Sequence, residues 1–200
     1  MWRGVVAPLR EIETDPPPKE EFNRSIPGDE WVQEKDYKNT LAATVKAPPS
    51  AIWPWIAQMG LYKGGLYTYT WLENIFGCKL HNTDRIHPEW QNPKEGEIEP
   101  VCQSQEGKPN SGWLVARVEQ NKMLVWRGLN DAQWMMGIYI DSVDERTSRL
   151  ITRQQFKDPE TWTFAWWMEK LWFAWAHSVM QHGMINGIKE RVEKNYKGDK

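Results

Sequence analysis

The chain of 200 residues is long enough for one domain, or one domain and a tail. Its apolar content is about 44 % once Gly is counted and Tyr is not, which argues against a disordered chain; the 14 Trp, against 6 Tyr and 5 Phe, make up for scarce aliphatics. Lys and Arg number 25 against 27 Asp and Glu, a net charge of −2 that leaves no basic footprint for nucleic acid.

Residues 1–36 are Pro-rich and acidic, with Pro16-Pro17-Pro18 and Lys19-Glu20-Glu21. They read as an extended arm on a domain spanning 37–200, anchored by Phe22, Ile26 and Trp31. Thr40–Val45 reads as a strand. Ser50 stands where a helix cap is expected, Pro54 falls in the first turn, and Ile52, Trp55, Ile56 and Met59 recur at helical spacing up to Gly60. A second short helix is expected over 70–76, ended by Gly77. Residues 78–96 show no sustained period and read as an ordered loop.

From there the pattern changes to strands. A weak one covers 97–102; 113–119 with 123–129, and 134–143 with 148–156, form two hairpins. The last element, about 159–196, is a long helix with Met168, Leu171, Trp172, Trp175, Val179, Ile185, Ile188 and Val192 along one face. A twisted antiparallel sheet must cover its apolar face, and this helix is the element long enough to do so. The expected class is α+β, a curved antiparallel sheet around a long C-terminal helix with two short helices after the first strand. Gly183 and Gly187, four apart, are expected to let that helix approach the sheet closely.

Cys78 and Cys102 are too few for a zinc site or a disulfide scaffold. They could pair, but two reduced thiols in a cytosolic protein is the preferred reading. Residues 1–9 lack the apolar core of a signal peptide, and no run of ~18 uncharged apolar residues occurs, so a soluble cytoplasmic protein is expected.

The segments Trp53-Pro54-Trp55-Ile56-Ala57-Gln58-Met59-Gly60, Gly64-Gly65-Leu66-Tyr67-Thr68-Tyr69-Thr70-Trp71-Leu72-Glu73-Asn74 and His81-Asn82-Thr83-Asp84-Arg85-Ile86-His87-Pro88-Glu89-Trp90-Gln91 resemble a branch of the SRPBCC superfamily. This is the START-like, helix-grip group often labelled polyketide cyclase/dehydrase-like. Thr147–Arg153 and Met180–Arg191 fit the same pattern, so the resemblance spans about residues 26–195. It implies a hydrophobic cavity between sheet and long helix, and includes lipid carriers among its members; it does not imply a particular reaction. The two-His, one-carboxylate metal pattern of the ring-hydroxylase members is not visible, and no metal or cofactor is expected.

Within that frame, Glu89, His87 and His182 are the candidate acid/base groups, and Tyr67 and Tyr69 the candidate oxyanion donors. Tyr67, Tyr69 and Trp71 share a face if their stretch is extended. Each of these residues also has a structural reading: a hydrogen-bonded His, a loop tied together by Arg85, or Tyr rings that simply pack. Candidate ligand contacts are Tyr67, Tyr69, Trp71, Arg85, Trp113, Trp134, Trp172, Trp175, Val179 and His182. Glu73 is expected to pair with Arg85, Arg149 or Arg153. His177 and His182 stand roughly 140° apart on a helical wheel and cannot chelate one metal as an i,i+4 pair could. No nucleophile elbow, P-loop or dinucleotide fingerprint occurs.

The surplus Trp residues, Trp162, Trp166, Trp167, Trp172 and Trp175, suggest core packing, with an arm or dimer contact, ahead of a membrane surface or an aromatic pocket wall. The leading functional expectation is binding of a small hydrophobic or aromatic molecule in the grip, by a monomer or homodimer. Alternatives are a cyclase/dehydratase acting in the same cavity, and a membrane-surface or partner-binding module built on residues 162–175.

Overall fold

The computed structural model of the chain describes residues 17–33, 35, 37–75, 78–100, 112–129, 133–157 and 164–198, without the side chains of 75 and 164–174. Six strands form one antiparallel sheet in the order β1-β6-β5-β4-β3-β2: β1 Tyr37–Val45, β2 Ile98–Glu99, β3 Trp113–Glu119, β4 Met123–Gly128, β5 Trp134–Asp144 and β6 Thr147–Phe156. Among the described residues, four α-helices accompany them: α1 Lys19–Asn23, α2 Pro49–Ala57, α3 Thr70–Ile75 and α4 Phe164–Asn195. The β3–β4 turn works because Asn121 takes the left-handed conformation (φ 64°), which Asn tolerates better than most residues.

Period-two alternation gives the sheet two distinct faces. On the inner one, Leu41, Ala43 and Val45 of β1, Trp126 of β4, Ile138 of β5 and Leu150 of β6 join Ile52, Trp53, Trp55 and Ile56 of α2 and Met184, Ile185 and Ile188 of α4 in the main core. The sheet grips the long helix, and the α+β helix-grip class expected from the residues is the observed one.

The start of α2 differs from expectation. Pro49, not Ala51, is the first helical residue, Pro48 occupies the cap position, and no side chain caps the helix. Proline at the first helical position needs no N–H and brings a suitable φ, so Ser50 is drawn inside the first turn and Pro54 into the helix interior. Gly60 (φ 146°) lies beyond the helix end and pairs with Gly65 across a small loop. The second helix is observed as α3; Phe76 and Gly77 lie outside the described residues. So do 101–102, leaving β2 as the described part of the weak strand.

Of the N-terminal segment, residues 17–33 are described, and they are not extended throughout. Helix α1 and a 3₁₀ turn over Asp29–Trp31 shape residues 17–33. Ile26 and Val32 pack on the outer face of the sheet with Ala42, Val125, Met135, Tyr139 and Ile151. At the centre, the fully buried Arg153 guanidinium donates to the carbonyls of Glu21, Phe22 and Arg24 and to Asp29, while Tyr139 donates to the Pro27 carbonyl. A buried cation is tolerable only when its donors are satisfied in this way. Beside it, Arg149 holds Glu21 at 2.9 Å.

Cys78 is buried and in a disulfide, which corrects the reading of two reduced thiols. The other cysteine in the sequence, Cys102, lies outside the described residues. Among the described residues, no helix is long and apolar enough to cross a membrane.

Candidate functional site

The motif residues that suggested an active site are brought together, chiefly to bond one another. Gln58, fully buried just past α2, donates to Tyr67 Oη (2.8 Å) and to the Arg85 carbonyl (3.0 Å); its Oε1 accepts from the His87 amide (3.0 Å) and from Gln91 (3.2 Å). Asn82 accepts from the Tyr67 amide and donates to the Thr68 carbonyl, each at 2.8 Å. Burial pushes the Tyr67 hydroxyl up to about 12. From α4, Arg191 lies 4.9 Å from the Tyr67 ring centre, donates to the Thr83 carbonyl and pairs with Asp84.

The expected acid/base groups sit on this network's outer side. Arg85 Nε donates to His87 Nε2 (3.2 Å), so that nitrogen carries the lone pair and Nδ1–H donates to Glu89 (3.2 Å). Glu89 is exposed, and its carboxyl is held below the usual range by its own backbone N–H and by the His87 ring. His182 is half-buried and bonds the Ser178 carbonyl one helical turn back. Tyr69 packs against α4 at Gly183, where an added methyl would meet its ring at 2.9 Å. Trp71 is 55 % exposed, so it does not line up with buried Tyr67; α3 begins at Thr70 and turns it outward.

Two further expectations are corrected here. Gly183 and Gly187 do not bring α4 to the sheet; they receive the 67–69 loop, with the Tyr67 carbonyl 2.0 Å from where a Gly187 side chain would start. Among the described residues Glu73 has no basic partner, because Arg153 and Arg149 serve the N-terminal segment and Arg85 serves His87. It is buried with Oε2 unbonded, and burial pushes its carboxyl up to about 7.

A second set of residues gathers at one end of the inner sheet face. Strand pairing puts Trp113 opposite Gly128, and Phe156 opposite both Trp134 and Tyr37. Across this row the Trp113 and Trp134 rings stack at 4.7 Å, with the side-chain-free Gly128 strand between theirs, and Tyr37 stacks on Phe156 at 4.5 Å. Trp113, Trp134 and Tyr37 are only partly buried. One level deeper come Trp126, Met136, Gln154 and Asn39. From α4, His177 Nδ1 accepts from Gln154 (2.8 Å), so Nε2 carries the proton, and burial lowers this imidazole to about 4. Gln181 donates to Thr152 and accepts from Asn39. This polar seam anchors α4 to β6 and β1 just behind the aromatic row.

Below that level, over the second half of α4, Met184, Ile185, Ile188 and Val192 are buried in the main core. Beside Trp113 and Trp126 a cavity of about 10 Å³ opens, room for a single water and far short of the ~300–1,000 Å³ of a ligand pocket. Val179 is half-buried, and Trp175 is 50 % exposed instead of joining the apolar face. The side chain of Trp172, and those of Trp162, Trp166 and Trp167, lie outside the described residues.

Reasoning on the sequence gave no role to Gln58 and Arg191, although both stand within the segments that carry the resemblance, nor to Tyr37, Phe156 and Gln154. The signal for the latter was strand parity: Tyr37 and Asn39 share a face with Leu41, and Gln154 and Phe156 with Leu150.

Strand order, the gripped helix and the aromatic end together define a helix-grip domain. No protein-family model and no curated protein matches the chain. Among solved structures it is similar to CalC of Micromonospora echinospora, a self-sacrificing resistance protein, at 11 % identity and TM-score 0.44, covering 82 % of this chain and 99 % of that one. A Nitrosomonas europaea protein shares 16 % identity at TM-score 0.44, covering 80 % and 97 % of the two chains. The Aha1 dimer of Colwellia psychrerythraea shares 13 % at 0.39, covering 81 % and 99 %.

Proposed function

We propose that the protein binds a small hydrophobic or aromatic molecule in the grip, at the aromatic row on the inner face of the sheet. The observation that carries this is the row itself: Trp113, Trp134 and Tyr37 present large apolar ring faces on the inner side of the sheet, yet stay only partly buried. Large apolar rings that are not fully buried offer a contact surface with a preset geometry. The SRPBCC-like, START-like resemblance of the motifs supports the same reading. No observation favours the cyclase alternative: Tyr67 Oη accepts from Gln58, both His87 ring nitrogens are engaged by Arg85 and Glu89, and His182 Nδ1 bonds the Ser178 carbonyl.

The test is a titration of the full chain with naphthalene, read by quenching of Trp fluorescence, beside native mass spectrometry for a co-purifying small molecule. Saturable binding that weakens at least fivefold in Trp134→Ala is expected. Equal affinity in wild type and variant would remove the aromatic row as the site.

A further inference from the structure

The hydrogen-bonded pair of His87 and Glu89, on the outer side of the Gln58 network, has a third member. With its proton on Nδ1 and directed at Glu89, the His87 ring holds its lone pair on Nε2. Thr83 Oγ1 stands 3.1 Å from that nitrogen, close enough for the hydroxyl to donate to it. Thr83, His87 and Glu89 thus form one chain, hydroxyl to imidazole at 3.1 Å and imidazole to carboxylate at 3.2 Å. The Glu89 carboxyl, held below its usual range, keeps the charge that orients the ring.

The network behind these groups fixes their geometry. Thr83 is held at both ends of its backbone, its N–H by the Gly64 carbonyl (3.1 Å) and its carbonyl by Arg191 (2.9 Å). The His87 amide donates to the buried Gln58, and the ring is stacked on Trp90 at 4.1 Å. Arg85 Nε already satisfies the single lone pair of Nε2, so a second donor there is surplus to a structural tie. A hydroxyl, a base bonded to it and a carboxylate behind the base are the parts that activate a weak nucleophile. Arg85 is exposed, and its two terminal nitrogens make no bond among the described residues. Its guanidinium supplies a cation beside the same nitrogen for negative charge developing on a reacting oxygen.

We propose that Thr83, His87 and Glu89 form a hydrolytic site for carboxylic esters, none of its residues being shared with the aromatic row. Thr83 Oγ bonds to the ester carbonyl carbon while its proton passes to His87 Nε2, and the carbonyl π electrons collect on oxygen beside Arg85. As they return, the C–O bond to the alcohol breaks and His87 gives its proton to the leaving alkoxide. Water then attacks the acyl-Thr83 in the same way: its proton goes to His87, the carboxylic acid leaves, and Thr83 Oγ regains that proton. Glu89 touches no substrate and is a positioning residue. The side chains of Asp84 and Glu89 on this loop are 79 % and 60 % exposed, so a neutral ester suits the site, whereas a doubly charged phosphate ester would be repelled.

The probe is 4-nitrophenyl acetate at pH 7 with the full chain, followed by nitrophenolate release and by peptide mass mapping after an acid quench. Wild type is expected to turn over at least tenfold faster than Thr83→Val, which exchanges the hydroxyl for a methyl and keeps the backbone bonds to Gly64 and Arg191. Acetyl is expected on the peptide that carries Thr83. Thr83→Ser, which keeps the hydroxyl, is expected to exceed Thr83→Val at least fivefold, separating loss of the nucleophile from loss of loop shape. Glu89→Gln is expected to lower kcat at least fivefold with KM unchanged, a split that a surface tie would not produce. Wild type no faster than Thr83→Val, or acetyl confined to lysines, overturns the inference. So does Thr83→Ser as slow as Thr83→Val, or an unaltered kcat in Glu89→Gln.

Discussion

At the scale of single residues, Glu73 and His177 are both held neutral by burial, with opposite consequences for stability. The Glu73 carboxyl is pushed up from 4.5 to about 7. Its neutral form therefore favours the native state fully below pH 4.5, and this advantage is lost as pH rises through 7. The His177 imidazole is lowered from 6.5 to about 4. It favours the native state fully above pH 6.5, and that is lost as pH falls through 4. Each swing is about 3 kcal/mol at most. Between pH 4.5 and 6.5 the two slopes oppose and nearly cancel. Glu73→Gln cannot ionise, so urea unfolding of this variant should show stability falling from pH 6.5 toward 4.5, by about 1–3 kcal/mol, where wild type stays flat. A variant as flat as wild type would show that Glu73 is not the opposing group. Neither environment was legible in the sequence. Glu73 appeared in need of an arginine, and nothing local reveals that Arg85, Arg149 and Arg153 are all engaged elsewhere.

At the scale of elements, the boundaries of β3 to β6 and of α4 could be read to within a few residues, because alternation, turn residues and a long three-and-four period are local properties. What those elements touch is not local. The glycine pair of α4 was legible as a place of close approach, but its partner is the 67–69 loop and not the sheet. That loop takes its shape from Tyr67 in the left-handed conformation (φ 57°), tied by Asn82, which only the tertiary structure supplies. Gly187→Ala places a methyl against the Tyr67 carbonyl, which is backbone and cannot rotate away. Thermal unfolding is expected to show a loss of about 1–3 kcal/mol, the usual range for overpacking. Alanine tolerated there without loss would mean that the loop sits farther from α4 than described.

At the scale of the whole molecule, the sheet has two covers, and the second was underestimated. Residues 17–33 close the outer face over Val125, Met135, Tyr139 and Ile151, and Arg153 ties that cover down through three carbonyls and one carboxylate. A chain lacking residues 1–33 would expose this apolar patch together with an uncompensated arginine. Size-exclusion chromatography and dye binding should find it aggregated or partly unfolded, whereas a monodisperse truncated chain with wild-type unfolding would show the segment to be dispensable.

The sequence by itself determined the class of fold and the order of its elements, since periodicity and turn chemistry act over a few residues and a sheet with one long amphipathic helix has few ways to bury its apolar face. It also determined that aromatic side chains would carry much of the interior. The tertiary structure alone decided where those rings gather, which arginine meets which acid, and which buried carboxyl is left without a basic partner among the described residues. Those outcomes depend on strand register and on competition among distant groups for the same hydrogen bonds, and no local pattern encodes either.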